Sequence, residues 1–235
     1  MNTTEGGNKY ILTIIYLFTR WAEAIPLRDQ KADTIAHAFL DHWICRHRTP
    51  HRILTDQGRN FDGKLFASVC DLLRTDKVAF KPSKNGLCVR ISGTLKRYLK
   101  ALALPDPLNW DRLLHLPMLA YRTTPHRATG ITPQFLLYAR EIKLPCDMIY
   151  WHPAPEQRVE SYAVRMLNEM PSVFARARVS LVEYQRRMKA RYDLVAVKKH
   201  RRSTTGESTT EGNDTRRIQI VSSRVDRPLQ IIKVQ

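Results

Sequence analysis

The run Tyr10–Phe18 (YILTIIYLF) is almost continuously apolar and rich in β-branched residues, the pattern of a strand buried on both faces. Trp21–Leu27 follows closely and predicts its hairpin partner, with Pro26 near the end, where a missing N–H is tolerated. Then the period changes. Ile35, Phe39 and Trp43 recur every fourth residue and predict a helix from an Asp33 N-cap to about Arg46, closed off by Pro50. Ile53–Thr55 reads as the next short strand. Leu65, Phe66, Val69, Cys70 and Leu73 mark a helix from about Asp62 to Leu73, and Lys77–Phe80 a further strand. Strands interleaved with helices predict an α/β layered domain.

From Leu87 the pattern is helical again: Leu87, Ile91, Leu95, Tyr98 and Leu102 recur at spacings of four and three, a core-facing stripe. Trp110–Tyr121 predicts a helix bent at Pro117, and Gln134–Ala139 a short one within a Pro- and Gly-bearing stretch. Glu160 to about Asp193 predicts a long basic helix with a possible break at Pro171. Ser203–Asn213 (STTGESTTEGN) reads as a flexible polar linker, and Arg217–Val221 and Leu229–Val234 as two closing β-like pieces. The expected organisation is a domain over 1–150, a basic helical extension over 151–202, and a linker with remnant β segments, poorly ordered, over 203–235. Two short terminal strands do not close a sheet by themselves, and a lone hairpin is marginal in water.

Charge sharpens the picture. Lys and Arg number 39 against 22 Asp and Glu, a net charge of +17. Such an excess favours a polyanionic partner, because basic side chains displace the counterions of a phosphate backbone. The four cysteines show no paired spacing, which implies free thiols in a reducing compartment. His42, Cys45, His47 and His51 lie close together, but no second half completes a zinc pattern. No apolar run is long enough to span a bilayer, so no membrane role is expected.

The most informative word is Arg52-Ile-Leu-Thr-Asp-Gln-Gly-Arg-Asn-Phe61, a strand delivering Asp56 to a glycine-bearing turn. A rigid strand end fixes a carboxylate while the loop beyond it admits substrate. Three further stretches accompany it: Gly7–Leu12 with Phe18–Leu27, Asn85-Gly-Leu87 with Thr94-Leu95, and Ala120–His126 continuing through Thr129-Gly130, Thr132-Pro133, Leu136–Tyr138 and Arg140-Glu141 to Leu144-Pro145. In this order, over about residues 7–147, they resemble the integrase catalytic core of gypsy-type retrotransposons and retroviruses. That resemblance implies an RNase H-like core with a mixed central sheet flanked by helices. It also implies three carboxylates around Mg²⁺ or Mn²⁺, DNA as partner, and a homo-oligomer.

The chain departs from that pattern where the chemistry would be. Asp56 matches the second acid. Aligned on the flanking words, the first acid falls on Tyr16 and the third on Val89. Helical geometry bears on Val89: it is about 200° around the helix from both Leu87 and Ile91, on the side of Lys96, Arg97 and Lys100. A valine there is either a stray exposed residue or a lost glutamate, and the flanking words favour the second. The Asp56–Val89 interval is also about three residues short of the family's, near Phe80–Lys84.

A two-metal site holds its ions about 3.5–4 Å apart and needs enough negative charge to offset their repulsion. Asp56 alone would hold one hydrated ion weakly. The sequence thus describes an inactive integrase core. Two rivals remain: an active metal-dependent transferase or nuclease completed by Glu23, Asp62 or Asp76, and a protein-interaction module with no DNA role. By resemblance, Lys84, Asn85, Arg90, Lys96, Arg97 and Lys100 would lie along DNA; their alternative role is a solvated helix face. Lys198-Lys-His-Arg-Arg202 resembles a nuclear-entry patch, and with the resemblance implies a nuclear location.

Overall fold

A computed structural model describes residues 2–56, 61, 63–80, 86–103, 106–144, 147, 149, 159–204 and 229–234. Residues 1–126, 131–153 and 225–235 make one compact unit; residues 127–130 and 154–224 make a second.

The first unit is built on a five-stranded mixed sheet. Strands β1 (Tyr10–Tyr16) and β2 (Ala22–Leu27) form the expected hairpin, with Tyr10 opposite Leu27 and Ile15 opposite Ala22. The turn between them places Arg20 in the left-handed region, at φ 65°. Strands β3 (Arg52–Asp56) and β4 (Asp76–Phe80) run parallel, joined by helix α2 (Lys64–Leu72) as a crossover. The sheet order is β2-β1-β5-β3-β4, where β5 is Leu229–Val234. This last strand pairs antiparallel with β1 and parallel with β3.

From sequence alone β5 has no partner. The structure supplies two, because β1 and β3 do not pair with each other: each offers an open edge of N–H and C=O groups, and such edges call for a strand. Leu229–Val234 (LQIIKV), rich in β-branched residues, meets that demand. The linker residues 203–204 end the long helix described below, while 205–228, which include Arg217–Val221, lie outside the described residues.

Both faces of the sheet are covered. On one, Leu12, Ile14 and Ile53 pack with Ile35 and Phe39 of helix α1 (Ala32–Phe39), with Trp43, and with Phe66 and Cys70 of α2. The 35/39/43 stripe is buried as expected, but the helix starts after Lys31, with Asp33 inside its first turn. It then widens into a π-helical turn, Leu40–Ile44, where the Cys45 N–H donates to the Leu40 carbonyl. On the other face, helix α3 (Gly86–Leu102) packs Ile91 and Leu95 on Ile15, Ala22 and Leu54, and Leu99 on Ile11. Here the stripe differs from the one the sequence predicts. Leu99 and Ala103 are buried, whereas Tyr98 and Leu102 are exposed, because the packed line follows a strict four-residue step from Ile91.

Helices α4 (Trp110–Leu113) and α5 (His115–Thr123) divide at Leu114. Pro117 does not bend the second, since in the first helical turn no N–H is needed. Helix α6 (Pro133–Tyr138) opens on a Thr132 cap whose hydroxyl accepts from the Phe135 N–H at 3.0 Å, with Pro133 at its first position. In the second unit, helix α7 runs unbroken from Val159 to Thr204 through Pro171 and includes the basic word Lys198–Arg202.

Candidate functional site

Asp56 is the last residue of β3, registered beside Phe80 at the end of β4. Residues 57–60, 62 and 81–85 lie outside the described residues, and with them the candidates Asp62, Lys84 and Asn85. The loop after Asp56 is anchored at Phe61, which is buried with its ring 5.5 Å from that of Phe66. The Lys77 ammonium of β4 donates to the Phe61 carbonyl and lies over the Phe66 ring. Parallel β3 and β4 thus bring their C-terminal ends together.

Val89 is the fourth residue of α3. Only residues 81–85 separate β4 from that helix, and Leu87 and Ile91 pack against Leu54 and Val78. The topology therefore carries the start of α3 to the Asp56 end of the sheet.

Tyr16 does not join them. The register pairs Tyr16 with Gln230, and Gln230 with Ile53. Tyr16 is therefore three residues back along the sheet from Asp56 and two strands across, a backbone separation of roughly 14 Å from standard strand spacings. Its side chain packs on the α1/α2 face, and its hydroxyl accepts from Arg48 at 3.2 Å. Burial raises its pKa, while that hydrogen bond and the Arg48 charge oppose the rise. The alignment that placed an acid here rests on the spacing to Phe18. Because β1 runs antiparallel to β3, that end of β1 lies away from Asp56.

The sheet neighbours of Asp56 are instead Phe80 on β4 and, one step beyond the last β3–β5 pair, the backbone position of Lys233, which lies opposite Thr13. Neither is an acid. The candidate substitutes within the described residues, Asp76 and Glu23, are engaged elsewhere. Asp76 begins β4, at the opposite end from Phe80, and pairs with Arg52 at 3.4 Å. Glu23 is buried on β2, where it accepts from the Trp21 indole at 3.0 Å and from Arg122, with His47 at 3.4 Å. Burial by itself would raise the Glu23 pKa; His47, Arg122 and Trp21 together outweigh it and hold the carboxyl below its usual range. Among the described residues no three His, Cys, Asp or Glu side chains gather as a metal-binding group. Among the described residues the donor set does not fit a two-metal centre.

The basic candidates fare better. Arg90, Lys96, Arg97 and Lys100 are all exposed on the side of α3 opposite its buried line. Two further residues, which the sequence did not single out, adjoin Arg90: His126 lies within reach of the charges of both Arg20 and Arg90. Arg20 in the hairpin turn is buried, and its carbonyl accepts from the Tyr121 hydroxyl at 2.8 Å. His126 stacks edge-on against Tyr121, and its pKa falls to about 4, first through burial and then through the charges of Arg20 and Arg90. Cys45 and His47, grouped with His42 and His51 in the sequence, separate here: Cys45 is exposed, while His47 is half-buried against Trp21 and Trp43.

No family model matches the chain. It is 26% identical over 195 residues to the retrovirus-related Pol polyprotein from transposon 412 of Drosophila melanogaster, covering 81% of this chain and 16% of that protein. It is 33% identical over 136 residues to the Gag-Pol polyprotein of baboon endogenous virus, covering 56% of this chain and 8% of that one. The chain thus spans a small part of these relatives. A chain of the simian T-cell lymphotropic virus intasome, solved with a PP2A regulatory subunit, shares the fold at a TM-score of 0.52. It is 21% identical and covers 67% of this chain and 55% of that one. The chain resembles the integrase core of retroviral and retrotransposon Pol polyproteins, with its mixed α/β, RNase H-like architecture.

Proposed function

We propose that this chain is a gypsy-type, retrotransposon-derived integrase core that has lost strand transfer and retains DNA binding in the nucleus. One observation carries the loss: the sheet positions flanking Asp56 are Phe80 and, one step past the last β3–β5 pair, Lys233, so among the described residues no second carboxylate stands beside it on the sheet. A magnesium or manganese ion would find Asp56 alone among the aligned acid positions, too little charge to hold a pair of ions. Val89, aligned with the third acid, offers no oxygen.

DNA binding is supported by the net charge of +17 and by the exposed basic row of α3. These groups suit phosphates, and none reads a base, so the binding is nonspecific and salt-sensitive. The test pairs two assays on the purified chain: strand transfer and nicking with Mg²⁺ or Mn²⁺, and DNA affinity across a salt series. No product, together with an affinity that falls steeply with salt, is the expected result. A product abolished by Asp56→Asn would overturn the loss of activity. A salt-independent affinity would favour a protein-interaction module.

A further inference from the structure

Helix α7 carries two apolar lines on different sides. Val173, Ala177 and Leu181 recur every fourth residue and are buried. Val164, Leu167, Pro171, Ala175, Val179 and Val182 step by three or four, and all six are exposed, Leu167 at 75% and Val179 at 70%. At about 100° per residue these six fall within an arc of about 120°, centred roughly 140° around the helix from the buried line. They run along about 27 Å of one face. A soluble chain seldom leaves an apolar stripe of that length to water unless something docks on it.

The order of side chains in the stripe identifies the partner. Counted from position 173, Val182 mirrors Val164, Val179 mirrors Leu167 and Ala175 mirrors Pro171. Branched aliphatic side chains stand at both ends and compact ones in the middle. Two polar residues share the arc, Asn168 and Arg178, and they mirror each other about the same position. A twofold interface sets one patch against itself, so each residue has to suit its own mirror partner. This face meets that condition with the helices antiparallel. Aliphatics then meet aliphatics, Pro171 meets Ala175 where the axes approach, and Arg178 lies level with Asn168. Parallel helices in register would set Arg178 against Arg178, which costs binding energy. A partner of unrelated sequence would call for no such symmetry.

We propose that α7 is a self-association helix, through which two copies of this chain pair antiparallel about a twofold axis level with residue 173.

The test uses the full chain, freed of nucleic acid, in sedimentation velocity over a concentration series. Five turns of helix make a small interface, so the parent chain is expected to pass from monomer to dimer in the micromolar range. Val164→Glu and Val182→Lys each set a charge against an aliphatic side chain at both ends of the pair. Each is expected to weaken dimerisation by about tenfold or more. The two together are expected to restore most of it, because position 164 of one copy then faces position 182 of the other with opposite charge. These positions are about 27 Å apart within one copy, so no bond inside a chain can produce that recovery. Val164→Glu with Val182→Glu is expected to stay monomeric. Both positions are exposed, so circular dichroism should show unchanged helix content in every variant. A parent chain that stays monomeric throughout, a dimer that both single changes leave unaltered, or a Glu/Lys double variant no better than the singles would each overturn the proposal. None of these outcomes bears on strand transfer or DNA affinity.

Discussion

Arg122 lies over the Trp21 ring, its guanidinium carbon 4.2 Å from the ring centroid. From there it donates to the Ala22 carbonyl at 2.9 Å and to the Glu23 carboxylate, both on β2. One side chain of α5 thus combines a stacked face, a backbone bond and an ion pair. Breaking a buried pair strands the remaining charge, so Arg122→Ala should cost about 3 kcal/mol. Adding Glu23→Gln to it should recover part of that cost, a non-additivity readable in urea midpoints. Strictly additive costs would mean the pair is not the source. The Glu23 pKa is lowered in the folded state, so its contribution is present above the unfolded carboxylate range and lost as pH falls through the folded value.

His126 supplies a second pH signature. Its pKa is about 4 in the folded chain against 6.5 for a free side chain. Between those values the unfolded chain binds the extra proton, so stability declines as pH drops from about 6.5 to about 4. One proton contributes at most about 1.4 kcal/mol per pH unit, and less for a ring only partly buried. His126→Gln should flatten that part of the pH–stability curve relative to the parent chain. Identical curves would refute it.

Restoring an acid should succeed only where the sheet permits. Tyr16→Asp should leave manganese affinity unchanged, because Tyr16 is two strands from Asp56 and on the α1/α2 face. Lys233→Asp removes a positive charge and adds a carboxylate on the strand beside Asp56, so it should tighten manganese binding measurably. Calorimetric titration distinguishes them. The opposite order would mean the sheet register does not govern the site.

The α3 row is testable through salt. Replacing Arg90, Lys96, Arg97 and Lys100 with Ala should reduce the slope of log affinity against log salt by roughly one unit for each phosphate no longer neutralised. These side chains are exposed, so the fold should tolerate the change, which circular dichroism would confirm. An unaltered slope would remove α3 from the interface.

Much of the first unit was legible in the sequence because its signals are local. The run Tyr10–Phe18, the 35/39/43 stripe and the short helix expected over Gln134–Ala139 are each declared within a few residues. The words around Asp56 and Gly86 carried the integrase resemblance and set β3 and α3 in order. Partners distant in sequence were not legible. Nothing near Arg122 marks it for Glu23, 99 positions earlier, and nothing in Leu229–Val234 names β1 and β3 as its neighbours. The separation of Tyr16 from Asp56 was not legible for the same reason. Spacing along a strand cannot say which end of the sheet it approaches; that depends on a pairing made by the last strand.

That last strand also sets a clock. Translation runs at about 5–20 residues per second, so the roughly 170 residues between β3 and β5 take on the order of 9–35 s to make. Throughout that interval β1 and β3 lack the strand that bridges them in the folded sheet.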